Sequence, residues 1–147
     1  QRVLREHLPV HQWSWAQWAQ VWAGRDINRL VPLLALPDGA FRKWAPNRWE
    51  GMKTCNLSVW RSDLLRVNGL DESYEGWGLE DSDLVIRLLR IGVKHKSARY
   101  AAPVFHLWHQ EQARSRLEEN RTRLEQVLRT QDTEAVIGLS RYLMEAG

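Results

Sequence analysis

Apolar residues recur at helical spacing in several segments of this chain, and this spacing constrains its fold more than any other feature. Four of them, followed by Gly92 as a helix terminator, lie on one face of a predicted helix: Leu84, Val85, Leu88 and Leu89. Helices are also predicted over residues 9–24, 110–130 and 134–145. A chain with this pattern is expected to be helix-rich.

Two shorter segments predict β-strands, from Met52 to Trp60 and from Ala101 to Phe105. A short helix follows the first strand, and we expect Ser62 to cap its start and Asn68-Gly69 to end it. Helices combined with few short strands predict the α/β class. The length of 147 residues suits a single domain, 1–147, with one core.

Charge and cysteine content exclude several classes of function. The chain has 21 Lys and Arg against 18 Asp and Glu, and its Arg residues are spread among Glu rather than clustered. A face for a nucleic-acid polymer would show clustered cations, so we expect no such partner. The single Cys55 cannot form an intramolecular disulfide, and no apolar run approaches the roughly 18 residues of a membrane span. Since the chain starts at Gln1 without a signal-like segment, we expect a piece of a longer protein.

Nine tryptophans are unusual for this length, and six of them precede residue 50. Trp15, Trp18 and Trp22 form an aromatic stripe along the first predicted helix. One interpretation is that the stripe packs on the domain core. The other is a face for a membrane interface or a missing partner domain, because Trp favours half-wet surfaces. We predict an exposed apolar patch near these three residues.

The segment GWGLEDSDL, residues 76–84, places two glycines around a tryptophan ahead of three carboxylates. Acids at a helix start are stabilised by free backbone amides and the helix dipole, so they are often simple caps. Capping does not explain Gly76 and Gly78, which favour a mobile loop that moves Trp77 over a ligand, or a backbone that a ligand approaches closely. An indole stacks on the C–H face of a sugar, and a carboxylate binds sugar hydroxyls or removes a proton from one. A sugar site and structural capping both fit this pattern.

His106 and His109 form a second cluster in the segment from Phe105 to His109. The two side chains would share a face on a helix and point apart on a strand. Two histidines do not make a complete metal site, so a structural pair and a partial metal site both fit.

The order of these segments resembles that of a known enzyme family. The chain carries KTCNLSVWR from residue 53, VNGLDE from residue 67 and GWGLED from residue 76, followed by Arg87, Gly92, His106 and His109. This order is similar to the C-terminal half of family 2 glycosyltransferases. More narrowly, it resembles the galactosyltransferase C-terminal module of bacterial capsule and lipopolysaccharide enzymes and of animal β-1,4-galactosyltransferases. The resemblance covers about residues 50–110.

The resemblance implies a role for each matching residue. Trp77, in the turn that Gly76 and Gly78 form, would close over the bound sugars. Asp81 would act as the general base of an inverting displacement, and Glu80 would orient the acceptor hydroxyl. Asn56 or its neighbours would line the donor sugar. A divalent metal, Mn or Mg, would be bound by His109 as the first choice and by His106 as the second.

The resemblance also implies a part of the enzyme that this chain lacks. The nucleotide-binding half of the family carries an Asp-x-Asp metal motif, and we expect that half to precede these residues in a longer protein. Asp81-Ser82-Asp83 has the same letters but starts a predicted helix, so we do not interpret it as that motif. The metal site is therefore expected to be incomplete. The expected fold is the helix-rich C-terminal portion of a GT-A domain.

The implied function is sugar transfer from a nucleotide-sugar donor to a glycan acceptor, in cell-surface polysaccharide or lipopolysaccharide biosynthesis. The expected location is the cytoplasm, with the inner face of the bacterial membrane as an alternative. A glycosidase is disfavoured because neighbours such as Glu80 and Asp81 do not readily flank a glycosidic bond at ~5–9 Å. A non-catalytic, Trp-rich module that binds a glycan or a protein remains the alternative.

Overall fold

The computed structural model of the chain describes residues 6, 9–27, 29–30, 33–34, 36–102, 104, 110 and 114–145. The chain divides into two compact units. The first comprises Gln1–Arg42 with Ser97–Gln110, and the second comprises Lys43–Lys96 with Glu111–Gly147. Compact units of this kind occur within one domain as well as between two, so the single domain 1–147 stays a prediction.

The first unit contains helix α1, Trp15–Ala23, which follows a 3₁₀ helix, Val10–Gln12. Ser14 and Gln17 form a capping box: Ser14 Oγ accepts from the Gln17 N–H at 3.4 Å, and Gln17 Oε1 accepts from the Ser14 N–H at 2.8 Å. The helix ends at Gly24, as predicted. It starts later than the predicted residue 9 because the capping box places its first turn after Ser14.

The tryptophans of α1 divide between core and surface. Trp18 is 9% exposed, and its ring centroid lies 4.9 Å from that of Trp13. Trp15 and Trp22 are 55% and 50% exposed. The predicted apolar patch is therefore confirmed for Trp15 and Trp22, whereas Trp18 takes the core position. Among the described residues, no helix is both long and apolar enough to cross a bilayer.

In its described part, the second unit contains four α-helices and the 3₁₀ helix Thr54–Asn56. A further 3₁₀ helix, Ala40–Lys43, lies where the sequence passes from the first unit to the second. The α-helices, in chain order, are α2 (Arg61–Arg66), α3 (Glu80–Arg90), α4 (Leu117–Arg129) and α5 (Ser140–Glu145).

Helix α3 forms the centre of this unit. Its residues Leu84 and Leu88 pack with Val67 in the core, and Val85 is also buried. The predicted inward face is therefore confirmed, with Leu89 only partly buried. The apolar residues around the core are Leu57, Val59, Leu64, Ile91 and Val93.

The end of α3 is a Schellman motif. Gly92 has a φ of 89°, its N–H donates to the Leu89 carbonyl at 3.0 Å, and the Val93 N–H donates to the Leu88 carbonyl at 3.1 Å. The predicted stop at Gly92 is confirmed, and its left-handed backbone is one that glycine adopts readily. Helix α4 packs against α3. It starts at Leu117 rather than at the predicted residue 110.

The segment from Met52 to Trp60 does not form the expected strand. Lys53 and Leu57 have extended backbones, but the 3₁₀ helix Thr54–Asn56 lies between them. The described residues contain no β-strand, so this segment has no ladder partner there, and Ala101 and Ala102 lie in a turn and a bend. Pro103 and Phe105 of the second expected strand lie outside the described residues. The α/β class and the GT-A fold stay predictions.

Helix α2 begins one residue before its expected cap. The carbonyl of Trp60 accepts the first helical hydrogen bond, from the Leu64 N–H, so Ser62 lies inside the helix and does not cap it. The predicted stop at Asn68-Gly69 is confirmed, because both residues have a left-handed backbone, with φ of 59° and 75°.

The C-terminal segment 135–140 is bonded to the loop that follows α2. The Ala135 N–H donates to the Val67 carbonyl at 3.0 Å, and the Leu139 N–H donates to the Asn68 carbonyl at 2.9 Å. The Asn68 amide donates to the Ala135 carbonyl and accepts from the Ser140 N–H. The last helix therefore covers Ser140–Glu145 rather than the predicted 134–145, because backbone groups ahead of Ser140 bond to this loop instead.

Candidate functional site

The turn that carries Trp77 is built from left-handed residues. Gly76, Gly78 and Leu79 have φ of 75°, 99° and 80°. A Cβ on Gly76 or Gly78 would come no closer than 3.9 Å or 3.7 Å to a neighbouring atom, which is ordinary contact. Backbone conformation, rather than lack of space, therefore requires these two glycines. Leu79 accepts the same conformation with a side chain and is the N-cap residue of α3.

The turn is held by Asn120 of α4, whose side chain lies at 2% exposure. Its Nδ2 donates to the carbonyls of Glu75 and Gly78 at 3.1 Å each and approaches the Trp77 carbonyl at 3.5 Å. Sequence analysis missed this residue, because a single Asn within a charged helix carries no pattern that separates it from the solvated face.

Trp77 lies at the edge of the turn with 37% of its surface exposed. The guanidinium carbon of Arg114 lies 4.3 Å from its ring centroid, which is a cation–π contact. Arg116 forms an ion pair with Glu75, one residue before the turn. The residues ahead of α4 thus contact the turn through both an aromatic ring and a carboxylate.

The carboxylates in the first turn of α3 have different surroundings. Asp83 is 1% exposed and accepts from Arg87 through one oxygen, Oδ2, at 3.1 Å from Nε and 2.7 Å from Nη2. Asp81 keeps 8% exposure, and Glu80 is partly exposed. Burial raises the pKa of Asp83, and the hydrogen bonds from Arg87 only partly oppose this. Asp83 is therefore bound to Arg87, whereas Glu80 is the more exposed of the other two acids.

Asp81 connects α3 to the 3₁₀ helix that contains Asn56. Its Oδ1 accepts from the Ser82 N–H at 3.0 Å, and its Oδ2 accepts from the Thr54 N–H at 3.4 Å. Asn56 is exposed at the end of that 3₁₀ helix. The structure therefore brings together the parts of the chain that hold Trp77, Glu80, Asp81 and Asn56. Their roles in binding and catalysis stay predictions.

Arg87 also fixes the loop that follows α2. Its Nη1 donates to the carbonyl of Val67 at 2.5 Å and to that of Gly69 at 2.8 Å. With both contacts to Asp83, this guanidinium satisfies three buried acceptor groups. The i,i+4 spacing of Asp83 and Arg87 was visible in the sequence, but it did not show that the pair is buried.

Asp71 and Tyr74 lie in the loop between this network and the turn. Burial raises the pKa of Asp71, but hydrogen bonds from Ser73 (N–H at 2.9 Å) and Val136 (N–H at 3.0 Å) outweigh it and leave that pKa below its usual value. The Tyr74 hydroxyl is buried without a hydrogen-bond partner among the described residues. Burial raises the pKa of this phenol, and the charges of Asp83 and Asp71 raise it further. Tyr74 therefore stays neutral.

The expected metal site receives no support from the described residues. His106 and His109 lie outside them. Within the described ranges, no group of three or more His, Cys, Asp or Glu is arranged to hold a metal ion. Asp81-Ser82-Asp83 does not fit a metal motif, because Arg87 occupies the Asp83 carboxylate. The divalent metal therefore stays a proposal.

A groove of about 380 Å³ runs along the C-terminal half of α3, away from the acids of its first turn. Its lining is apolar and cationic and includes no carboxylate: Asn47, Trp49, Ile86, Leu89, Arg90, Lys94 and Leu128. The Arg90 guanidinium donates to the carbonyls of Val127 and Asp132, and Lys94 donates to Asn47. These cations already bind groups of the chain, so the acid-bearing turn is the better candidate site.

Comparison with known proteins finds a family that is similar to part of the chain. Residues 39–110 match the family described as the N-terminal domain of galactosyltransferase. That description names an N-terminal domain, whereas we expected a C-terminal portion of the enzyme. No solved structure matches the chain. This match supports a galactosyltransferase-like glycosyltransferase domain with a transferase role, and its range includes Asn56, Trp77, Glu80 and Asp81.

Proposed function

We propose that this chain is the acceptor-side portion of an inverting glycosyltransferase of the GT-A type. It transfers a sugar from a nucleotide-sugar donor to a glycan acceptor in cell-surface polysaccharide or lipopolysaccharide biosynthesis. The observation that supports this best is that the carboxylates in the first turn of α3 have different partners. Asp83 is bound to Arg87, while Asp81 and Glu80 remain beside the Trp77 turn.

In the proposed mechanism, Asp81 takes the proton of the acceptor hydroxyl as that oxygen attacks the anomeric carbon. The new glycosidic bond forms as the bond to the nucleoside diphosphate breaks, which inverts the anomeric centre. Glu80 accepts a hydrogen bond from the acceptor and orients the reacting hydroxyl. Trp77 stacks on the C–H face of a sugar, and Asn56 contacts the donor sugar. General-base catalysis of this kind contributes ~10²–10⁴-fold to the rate.

The donor diphosphate requires groups beyond the described residues. A divalent metal, Mn or Mg, would neutralise its developing charge. His109 and His106 are the proposed ligands from this chain, and the nucleotide-binding half of a longer enzyme would supply the rest. That half is the partner that we propose for this chain, in the cytoplasm or at the inner face of the bacterial membrane.

The test compares Asp81→Asn with Glu80→Gln in the full-length enzyme. Asp81→Asn keeps the volume of the side chain but removes the base, so turnover is expected to fall ~10²–10⁴-fold with little change in acceptor affinity. Glu80→Gln is expected to raise the acceptor KM instead. Glu118→Gln is the matched control, because it makes the same change in the first turn of α4, on an exposed side chain.

Steady-state kinetics and thermal melting of each variant decide between a catalytic and a structural Asp81. Asp81 lies inside α3 and accepts from the N–H groups of Ser82 and Thr54, and an amide nitrogen cannot accept, so a purely structural Asp81 would lose stability on the change but keep its turnover. A stable Asp81→Asn enzyme with wild-type turnover would refute the proposed base.

The alternative function is a non-catalytic module that binds a glycan or a protein. The exposed tryptophans favour it, since Trp44 and Trp60 are both largely exposed in the second unit. Donor-dependent transfer by the full-length enzyme distinguishes the two functions. Glycan binding with neither transfer nor donor hydrolysis would support the module.

A further inference from the structure

The amide of Asn120 recognises backbone carbonyls, not a side chain. Three carbonyl oxygens surround its Nδ2, two at 3.1 Å and one at 3.5 Å. Only the NH₂ end of the amide can donate to them, so the contacts also identify which end of the side chain faces the turn. Its two protons are donated to the carbonyls of Glu75 and Gly78. The Trp77 carbonyl lies farther from the same nitrogen.

These carbonyls belong to the residues that precede α3. Gly76 and Gly78 have left-handed backbones, and the carbonyls of the turn and of the residue before it face Asn120 of α4. Asn120 is only 2% exposed, so a side chain without a donor at this position would leave the three carbonyls facing a buried apolar or acceptor group. Asn120 therefore supplies what the left-handed turn lacks, which is a buried donor.

Two arginines reinforce the same support. Arg114 lies over the indole of Trp77, and Arg116 pairs with Glu75. Both residues lie just ahead of α4. The short segment from Arg114 to Asn120 therefore contacts the backbone of the turn, its indole ring and the acid beside it.

We propose that Asn120 is a positioning residue of the acceptor site. It fixes the Gly76–Leu79 turn, and through Leu79 it sets the start of α3, where Glu80 and Asp81 lie. Asn120 does not touch the substrate in this proposal. The proposal rests on the proposed function, and it places a determinant of the site ten residues beyond the end of the family match at residue 110.

Hydrogen–deuterium exchange of the chain tests the positioning directly. Asn120→Asp keeps the shape of the side chain but removes both donors and places a carboxylate among carbonyls. We expect exchange in peptides covering residues 75–83 to become about tenfold faster or more, with the rest of α4 changed less. Asn120→Ser keeps a single donor, and a smaller increase in exchange is expected if Asn120→Asp does not fold.

Leu124→Ala is the matched control, since Leu124 is buried in the same helix and its apolar side chain has no donor for the turn. It destabilises α4 without removing the amide. Unchanged exchange at residues 75–83 in Asn120→Asp would overturn the proposal. An equal increase in Leu124→Ala would also overturn it, because the effect would then be global.

Kinetics of the full-length enzyme test whether the turn serves the acceptor. We expect Asn120→Ser to raise the acceptor KM about tenfold and to lower turnover as well, because the first turn of α3 carries both Glu80 and Asp81. Local loosening of the turn with an unchanged acceptor KM would refute the role of Asn120 in the acceptor site. A wild-type enzyme without any transfer would refute the proposed function itself, whereas the exchange experiment would still decide the support of the turn.

Discussion

Replacing Arg87 with methionine removes a guanidinium that is 1% exposed and leaves the equally buried carboxylate of Asp83 without its partner. Methionine keeps most of the length and apolar volume of the side chain, so the change isolates the charge and the hydrogen bonds. The carbonyls of Val67 and Gly69 lose their donor at the same time. The substitution therefore produces one unpaired buried charge and two weakened backbone acceptors.

Removing one partner of a buried ion pair costs about 3–5 kcal/mol, because the remaining charge stays desolvated. The two carbonyls add to this cost, but such terms do not sum fully within one network. We therefore expect the free energy of unfolding to fall by about 3–5 kcal/mol at pH 7, out of a total of about 5–15 kcal/mol for a domain of this kind. At about 2–4 °C per kcal/mol, the melting temperature falls by roughly 6–20 °C.

The loss is expected to depend on pH. Burial already raises the pKa of Asp83 in the presence of Arg87, and removing Arg87 takes away the contacts that oppose this. A carboxyl whose folded-state pKa is raised stabilises the fold when protonated, and this stabilisation is lost as the pH rises through that pKa. The gap between Arg87→Met and wild type should therefore be smallest in acid, near the ordinary pKa of aspartate, and widest at neutral pH.

Urea denaturation, followed by circular dichroism at pH 4 and pH 7, measures both effects. Arg66→Met is the control, because Arg66 is 55% exposed and its pair with Asp63 is a surface pair worth about 1 kcal/mol or less. Adding Asp83→Leu to Arg87→Met should recover part of the loss, since no unpaired charge remains. An Arg87→Met chain within 1 kcal/mol of wild type at pH 7 would refute this reasoning.

Two further substitutions test other parts of the chain. Asp71→Asn should cost about 1–3 kcal/mol at pH 7, because an amide nitrogen cannot accept from the N–H groups of Ser73 and Val136. Since the folded-state pKa of Asp71 is lowered, its stabilisation is present above the ordinary pKa and lost in acid, so the cost should shrink below pH 4; urea titrations with the same loss at pH 3 and pH 7 would contradict this. Replacing Trp15 and Trp22 together with serine should change stability by less than about 1 kcal/mol and abolish flotation with anionic vesicles, as both are exposed. Equal flotation of wild type and this double variant, or flotation of neither, would refute a membrane contact through this patch.

The helix that carries the candidate acids could be predicted from sequence because its signals are local. The apolar residues Leu84 and Leu88 repeat at one helical turn, and Gly92 marks the Schellman end. Both features depend on residues fewer than ten positions apart. The position of the acids in the first turn followed from the same pattern, so the region of the candidate site was predictable.

The roles of the individual acids were not predictable from residue type. Asp81 and Asp83 are chemically identical and two positions apart, which places them on nearly opposite sides of a helix. Only the packing of α3 decides which one faces the core and meets Arg87. The prediction of a strand from Met52 to Trp60 was wrong for a related reason, since a strand requires a partner that lies elsewhere in the chain.

Asn120 shows the limit most clearly. It lies 42 residues after Gly78, whose carbonyl it binds, and its neighbours in sequence are charged and exposed. Local periodicity places it in a helix but gives no reason for it to be buried. Such a residue becomes visible only when the carbonyls of a left-handed turn are matched to a donor in space.

The bonds between the C-terminal segment and the loop after α2 bear on where this protein can be divided for expression. Similarity to the family ends at residue 110, yet Val67 and Asn68 take backbone partners from Ala135 and Leu139. A fragment trimmed to the similar residues would leave those backbone groups to water and would lose Asn120 as well. A fragment that keeps these bonds therefore has to extend past Leu139.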